Sequence, residues 1–326
     1  MSGQDPLRQK RLGLRGVLLV SGGVLLASSV FLVPNLGLLQ GSTPTTSLAV
    51  PAVTSSPTAD DGSDTSAGST SAAASSLAAP ALLPVYWLGE VDGDARLFRE
   101  FLTTQDQALM DPIGEAVRVM TAGDPLDPDY SSPWAEASSV SSSISTQNVI
   151  TVDISSDAFA VPLPEAQARI AVQQLVYTAT AAASNAGLIK GGEASSVVVL
   201  VDGAAGYRAF GTVDLDGEWT RDSAVLAPVW IIDPQQNVQV DGVVTVNGLA
   251  PTTEDAVSWR IDRLADSGTP GAGELFRTGS AEVRTDETVA GTYSFSETLP
   301  SGRYVITVSA PTRTGAPTDT KNVVVL

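Results

Sequence analysis

Three acidic side chains occupy positions from which they could serve acid–base chemistry. Asp153 lies in an alternating apolar run, Asp202 precedes a glycine that closes another apolar run, and Glu165 opens a helical pattern. Two carboxylates can share acid–base work without histidine, as they do in glycan hydrolysis. The alternative, which we favour, is a solvated surface, because Asp153 alternates with Val152 and Ile154 and therefore faces away from them.

The absence of histidine and cysteine excludes several kinds of active site and metal site. The 326 residues include no histidine and no cysteine, which excludes a Ser-His-Asp triad, a cysteine nucleophile, a thiolate zinc site and a disulfide framework. Acidic residues number 36 against 18 basic ones, for a formal net charge of −18. Because this charge repels phosphate backbones, we expect no nucleic-acid partner.

Two acidic loops look superficially like calcium loops: Asp92-Gly93-Asp94 and residues 214–218. An EF-hand loop needs glycine at its sixth position and glutamate at its twelfth, and neither loop meets this requirement. Asp-Gly between two apolar runs is typical of a hairpin turn instead. We therefore expect no metal site and no cofactor, with weak calcium binding by these loops as the alternative.

The segment 124–134 combines acidic and aromatic residues with prolines that restrict its backbone. Aromatic side chains often anchor protein interfaces. The segment is either an ordinary exposed loop or a surface that contacts a partner. For the second case the sequence nominates Asp127, Asp129, Tyr130 and Trp134 as contact residues.

The N-terminal 40 residues differ from all that follows. Four basic residues within residues 1–16 precede an uncharged run. Its most apolar part, residues 17–33, lies at the low end of what spans a bilayer. We expect an uncleaved transmembrane signal-anchor at residues 17–39 rather than a cleaved signal peptide, since no Ala-x-Ala-like site follows at the usual distance. The basic flank predicts a single-pass protein of the cell membrane with a cytoplasmic stub (1–16) and an extracytoplasmic remainder.

Residues 40–81 form a predicted linker. Of residues 41–80, 33 are Ser, Thr, Ala, Pro or Gly, a composition that cannot bury enough apolar surface to offset the entropy of ordering. The four basic residues and one acidic residue of the stub leave 14 basic and 35 acidic residues beyond it, a formal net charge of −21. Anionic headgroups repel this charge, so a disordered tether would hold the rest of the chain away from the membrane.

Two folded units are predicted after the linker. In residues 82–227 strand and helix patterns alternate as β-β-α-β-β-α-β, which indicates a two-layer α/β domain. The helices begin near Pro112 and Pro164, as proline at a helix N-terminus favours. Residues 228–326 contain about seven short strand runs, a density typical of an all-β sandwich of the immunoglobulin type. Trp259 is its expected core tryptophan; carbohydrate stacking by Trp230 and Trp259 is the less favoured alternative.

Five segments in chain order carry a resemblance to a known family. They are Pro84-Val85-Tyr86-Trp87-Leu88, residues 116–125, Val152-Asp153-Ile154-Ser155, Gln174-Leu175-Val176-Tyr177-Thr178 and Val199-Leu200-Val201-Asp202-Gly203. With these segments in order, residues 82–208 resemble a GerMN domain, named from a bacterial sporulation and germination lipoprotein.

Four further segments resemble the immunoglobulin-like domain that often follows GerMN. They are Ile231-Ile232-Asp233-Pro234, residues 243–250, Val257-Ser258-Trp259-Arg260-Ile261 and Leu299-Pro300-Ser301-Gly302-Arg303-Tyr304. The sequence departs from the pattern at an inserted Asp124, at Thr252-Thr253-Glu254, where an aromatic residue is expected before the glutamate, and in lacking a lipobox cysteine. These departures bear on the membrane attachment and on any shared contact surface.

The resemblance implies an interaction module and brings no catalytic residues. We expect an α+β protein: a two-layer α/β GerMN-like domain, then an all-β immunoglobulin-like sandwich, behind an N-terminal transmembrane helix. Its expected function is that of a non-enzymatic scaffold in the bacterial cell envelope, as in sporulation and germination proteins, with an envelope protein or a cell-wall polymer as partner. The alternatives are a carboxylate-based hydrolase of envelope glycans and a sensor that binds a small ligand.

Overall fold

The computed structural model describes residues 81–104, 110–190, 193–265, 273–285, 290–310 and 315–326. The predicted stub, the signal-anchor and the linker up to residue 80 lie outside these ranges. None of the helices within them combines the length and the apolar character needed to cross a bilayer.

The first unit is a mixed α/β structure whose elements follow the predicted order. In chain order they are β1 Ala81–Val91, β2 Asp94–Thr104, α1 Pro112–Ala122, β3 Val140–Ile144, β4 Val149–Ile154, α2 Glu165–Asn185, β5 Ser196–Val201, β6 Arg208–Ala209 and β7 Val213–Asp214. Strands β1 and β2 form an antiparallel hairpin, and β6 and β7 form a short ribbon. The remaining sheet, β3-β4-β5, is mixed, since β4 pairs antiparallel with β3 and parallel with β5.

Helix α2 lies along the free edge of β1 and satisfies its backbone groups. The Thr178 hydroxyl accepts a hydrogen bond from the Tyr86 amide at 3.1 Å, and the Gln174 side-chain amide donates to the Tyr86 carbonyl at 2.8 Å. Both polar side chains are fully buried. An unpaired strand edge inside a protein would leave costly orphan groups, so α2 performs the role of a neighbouring strand here.

Asp111 joins the start of α1 to the outer strand of the mixed sheet. One carboxylate oxygen accepts the Gly114 amide at 2.7 Å and so caps the helix, while the other accepts the Ser142 amide of β3 at 2.7 Å. The helix then ends at Gly123, whose φ of 72° is left-handed, a conformation that glycine adopts without steric cost.

The second unit is a two-sheet β-sandwich. Its strands are β8 Trp230–Asp233, β9 Val238–Val240, β10 Val243–Ala250, β11 Ala256–Arg263, β12 Glu274–Glu282, β13 Gly291–Thr298, β14 Gly302–Ser309 and β15 Thr318–Val325. One sheet has the order β13-β10-β8 and the other β12-β11-β14-β15-β9. Strand β9 runs parallel to β15, and the other pairs are antiparallel.

Strand β8 belongs to the cores of both units. Because successive side chains of a strand point to opposite faces, Val229 and Ile231 pack into the sandwich. Trp230 and Ile232 pack into the α/β core. The predicted boundary at residue 228 therefore lies just before a strand that the two units share, and no flexible linker separates them.

We predict that Asp111→Ala lowers the free energy of unfolding by about 2–3 kcal/mol, because it removes a helix cap and leaves a strand amide without its acceptor. Chemical denaturation of the full chain measures the change. The control is Asp222→Ala, whose carboxylate accepts one hydrogen bond, from the Ala224 amide, at an exposed turn. Equal losses in the two variants would contradict the double role of Asp111.

Candidate functional site

A buried group of charged side chains lies where the two units meet. We call it the Lys321 cluster; its members are Lys321, Asp319, Asp127, Tyr130 and Glu100. Lys321 and Asp319 come from β15 of the sandwich, Glu100 from β2, and the other two from the 124–134 loop after α1. Their exposed fractions run from 0% for Glu100 to 8% for Tyr130, so the cluster is shielded from bulk water.

The alternation of β15 places charged residues on its inner face. Val323 and Val325 enter the sandwich core, and the residues two and four positions before Val323 are Lys321 and Asp319. The strand's side chains keep this alternation over its whole length. β15 therefore presents an apolar half to the sandwich and a charged half to the loop of the α/β unit.

The Lys321 ammonium group is the centre of the cluster. Its Nζ lies 2.5 Å from Asp127 Oδ2, 2.8 Å from the Tyr130 hydroxyl and 3.9 Å from Asp319 Oδ1. The same Nζ lies 4.3 Å from the centre of the Tyr130 ring. A buried ammonium group is tolerated only when it is paired and hydrogen-bonded, and both conditions depend here on the 124–134 loop.

Asp319 ties three parts of the chain together. Its Oδ1 accepts hydrogen bonds from the Tyr130 hydroxyl at 3.0 Å and from the Thr320 amide at 2.9 Å. Its Oδ2 accepts from the Ile231 amide of β8 at 2.7 Å. One carboxylate thus fixes β15, the shared strand β8 and the loop relative to one another.

Glu100 of β2 binds the backbone of the 124–134 loop. Its two oxygens accept the backbone amides of Leu126 and Asp127, each at 2.9 Å. Tyr130 then stacks on Phe98 with ring centres 4.8 Å apart. Gly89 makes this stack possible, because a Cβ at that position would lie 2.7 Å from the Phe98 ring.

The cluster sets three carboxylates against one ammonium group, and burial is the main influence on the pKa of two of them, Glu100 and Asp319. Burial raises the pKa of Glu100, which the two backbone hydrogen bonds and Lys321 partly offset. Burial also raises the pKa of Asp319, against the opposing charge of Lys321. The pKa of the Tyr130 phenol lies well above its usual value, first through burial and then through the carboxylates nearby. Tyr130 therefore remains a hydrogen-bond donor.

Chemically, this arrangement binds parts of the same chain to one another. The side chains that could transfer protons are covered by backbone and engaged with one another. Within the described ranges, no group of three or more acidic side chains is placed to hold a metal ion. The cluster is a structural ion pair that spans two units.

Comparison with known proteins assigns the first unit to a family. A family model described as "Germane: Sporulation and spore germination" matches residues 84–206. Residues 84–206 are therefore similar to a Germane domain, and we use that term below for the α/β unit that contains them. This confirms the GerMN resemblance drawn from the sequence, and the all-β structure of residues 230–325 fits the second unit that the resemblance implies.

Two solved structures are similar to parts of the chain. The tandem GerMN domains of the sporulation protein GerM from Bacillus subtilis have 19% sequence identity and a TM-score of 0.36, covering 48% of this chain and 51% of that one. The chain therefore spans about half the length of the GerM structure. Fibronectin(III)-like modules of Clostridium thermocellum CbhA have 16% identity and a TM-score of 0.20, covering 30% of this chain and 94% of that one. No curated protein matches the chain.

The four nominated contact residues have different positions in the Germane domain. Asp127 and Tyr130 belong to the Lys321 cluster. Trp134 is buried against Phe159 and Phe210, with ring centres 5.0 and 4.9 Å away. Asp129 is exposed. The first three are thus engaged within the chain, and contact with an outside partner stays a prediction for Asp129.

The other acidic candidates do not converge on one site. Asp153 accepts the Gly203 amide at 2.9 Å, Asp202 accepts the Ser156 amide at 3.3 Å, and Glu165 pairs with Arg169 one helical turn away. In the loop at residues 214–218, Asp214 pairs with Arg208 and Glu218 accepts the Ser196 hydroxyl. Each carboxylate supports a turn, a helix or a strand end.

Sequence reasoning missed Lys321, Asp319 and Glu100. A signal for the first two was present, because the alternation of Val323 and Val325 extends back through both charged residues. For Glu100, the run of apolar residues around it in β2 was the available sign that its position is buried. The pairing of Lys321 with Asp127 joins residues 194 positions apart, and no local pattern reports such a contact.

We predict that Lys321→Met lowers the free energy of unfolding of the full chain by about 3–5 kcal/mol, because it leaves buried carboxylates without their cation. Urea denaturation followed by tryptophan fluorescence measures the loss. Lys190→Met is the matched control: Lys190 is exposed, so its loss should stay within about 0.5 kcal/mol. A small effect at Lys321 would show that the cluster does not stabilise the fold.

We further predict that Lys321→Met costs less stability at pH 4.5 than at pH 8. The charge of Lys321 lowers the pKa of Glu100 and of Asp319, so its removal raises both values further above those of the unfolded chain, near 4. A carboxyl group with a raised folded pKa contributes stability that is complete below the unfolded pKa and is lost as the pH rises through the folded pKa. A penalty that does not change with pH would contradict this coupling.

Proposed function

We propose that this protein is a membrane-anchored, non-enzymatic interaction module on the outer side of a bacterial cell membrane. The observation that carries the proposal is the Lys321 cluster, which joins the Germane domain and the sandwich into one body. A rigid two-domain body on a tether is suited to present a fixed surface to a partner, since preorganised surfaces lose less entropy on binding.

The three carboxylates of the Lys321 cluster favour a structural role over hydrolysis of a substrate. Glu100, Asp127 and Asp319 are 6% exposed or less, and Lys321 or backbone amides occupy their oxygens. A glycosidase needs two carboxyl groups that flank a substrate in an open cleft. These three carboxylates contact the protein's own chain where a substrate would have to lie.

The immunoglobulin type of the sandwich is part of the proposal. Two features support this assignment. The first is Trp259, which lies on β11 and stacks on Phe295 with ring centres 4.7 Å apart. The Tyr304 hydroxyl, near the start of β14, donates to the Pro300 carbonyl at 2.9 Å. A core tryptophan and a tyrosine whose hydroxyl bonds back to the preceding turn are hallmarks of immunoglobulin-like sandwiches. Such domains commonly serve recognition, and the partner we propose is an envelope protein first and a cell-wall polymer second.

The anchor and the linker complete the proposal. The apolar run at residues 17–39 would hold the protein in the membrane, with the stub inside the cell and the linker as a spacer. The Germane description, sporulation and spore germination, supports the proposed role in the cell envelope.

The chain's lack of cysteine permits a direct test with one introduced thiol. In cells, Asp129→Cys carrying a short thiol-specific photocrosslinker should capture an envelope protein, because Asp129 is exposed on the loop that contacts the sandwich through the Lys321 cluster. Asp216→Cys, an exposed position in the loop at residues 214–218, is the matched control. Mass spectrometry of the membrane fraction reads out the adducts.

Adducts at Asp129 that exceed those at Asp216 support the proposed partner surface. Equal labelling at both positions, or none, would contradict it. In the same cells the full chain should sediment with membranes and a variant lacking residues 17–39 should not; sedimentation of both would reject the anchor.

A further inference from the structure

Arg99 is a buried cation that forms no ion pair with any acidic residue in the described ranges. It keeps 9% of its surface exposed, and within the part of the chain that the structure describes its guanidinium group donates no hydrogen bond. Its Nε is fully sealed and unpartnered. By contrast, six more exposed arginines each pair with a carboxylate; they are Arg96, Arg118, Arg169, Arg208, Arg260 and Arg277.

The surroundings of Arg99 are aromatic and apolar. Its guanidinium carbon lies 4.8 Å from the centre of the Phe101 ring. Directly across the hairpin is Tyr86, whose ring contacts Tyr177 at 5.0 Å between centres. A second guanidinium group without a carboxylate partner, that of Arg221, lies 4.9 Å from the Tyr177 ring. Rings partly offset the charge of a cation but accept none of its strong hydrogen bonds.

Such a side chain costs stability, in a protein whose acidic residues outnumber its basic ones two to one. Withdrawing a cation from water without a partner is among the more expensive arrangements in proteins. Among the described residues, Arg99 therefore has a ring contact but no carboxylate to compensate its burial, in contrast to Lys321. Groups that bind a ligand commonly carry such a cost in the free protein.

We propose that Arg99 is the receptor for a carboxylate group of the protein partner, an Asp or Glu side chain or a C-terminus. Nε is the Arg99 nitrogen that is sealed from solvent without a partner, while 9% of the residue stays exposed. A guanidinium edge offers two parallel donors that match the two oxygens of a carboxylate. The aromatic rings exclude water around the pair, which strengthens it. The strongly acidic chain repels polyanions at long range, which favours a single carboxylate over a phosphate polymer.

This inference deepens the proposed function, since it names the partner's chemical group. The test uses the full chain with ¹⁵N-labelled arginine and follows the Nε–H resonance of Arg99 during titration with sodium acetate, sodium chloride and inorganic phosphate at constant ionic strength. Arg99→Gln assigns the resonance. Arg96→Gln, on the same strand and at an exposed ion pair, is the control.

Acetate should shift the Arg99 resonance saturably, with an apparent Kd about tenfold lower than that of chloride, which cannot accept two parallel hydrogen bonds. The shift should persist in Arg96→Gln. The absence of a saturable shift would overturn the site, and phosphate that binds as tightly as acetate would overturn the carboxylate assignment.

A stability measurement tests the cost directly. Arg99→Gln should leave the thermal midpoint unchanged or raise it by about 2–4 °C, the range that one kcal/mol gives for a folded part of this size, because it removes an unpaired buried charge. A fall in the midpoint would show that Arg99 serves packing and would overturn the proposal. The acetate titration does not require the partner. If acetate does not bind but Asp129 crosslinks to an envelope protein, the Arg99 inference is rejected and the proposed function as an interaction module still holds.

Discussion

The burial of the Lys321 ammonium group is the constraint on which the arrangement of the two domains depends. A buried ammonium must find oxygen atoms in fixed positions, and these come from Asp127 and Tyr130 of the Germane domain and from Asp319 of the sandwich. Neither domain can supply the whole set. If the domains separated, Lys321 would keep only Asp319 as an acidic neighbour and Asp127 would lose its cation. The contact therefore specifies one relative orientation of the domains.

The apolar part of the interface agrees with this requirement. Strand β8 divides its side chains between the two cores, and its backbone amide at Ile231 is bound by Asp319. At the free edge of β2, the Gln235 side chain accepts the Phe101 amide at 3.0 Å, and the Leu97 carbonyl accepts the Ala227 amide at 3.0 Å. The chain that leaves the Germane domain thus runs along its hairpin before it enters the sandwich.

Side chains, rather than additional strands, close several sheet edges in this protein. Gln174 and Thr178 do so for β1, Asp111 for β3 and Gln235 for β2. Each acts on backbone groups far away in sequence, which explains why Gln174 and Thr178 are polar although they are buried within α2. Polar residues that terminate an edge limit both misfolding and unwanted association.

Local patterns predicted the elements well and their contacts poorly. Proline at Pro112 and Pro164 marked the helix starts, and alternation marked most strands, because these signals depend on neighbours in sequence. The 124–134 loop was recognised as unusual, yet its burial depends on Lys321 and Glu100, which no short-range pattern links to it. Arg99 gave no signal, since a strand arginine is ordinarily exposed and its burial follows from the surrounding aromatic residues. The elements predicted from the sequence indicate a fold class, and the match over residues 84–206 adds a similarity to a family. The identity of the partner depends on the side chains at the surface.

Differential scanning calorimetry of the full chain tests the central claim that the Lys321 cluster makes the Germane domain and the sandwich one cooperative unit. We expect a single transition whose calorimetric enthalpy equals its van't Hoff enthalpy, as is typical of a two-state unit. Two resolved transitions in the unaltered protein, with enthalpies that divide between the domains, would contradict it.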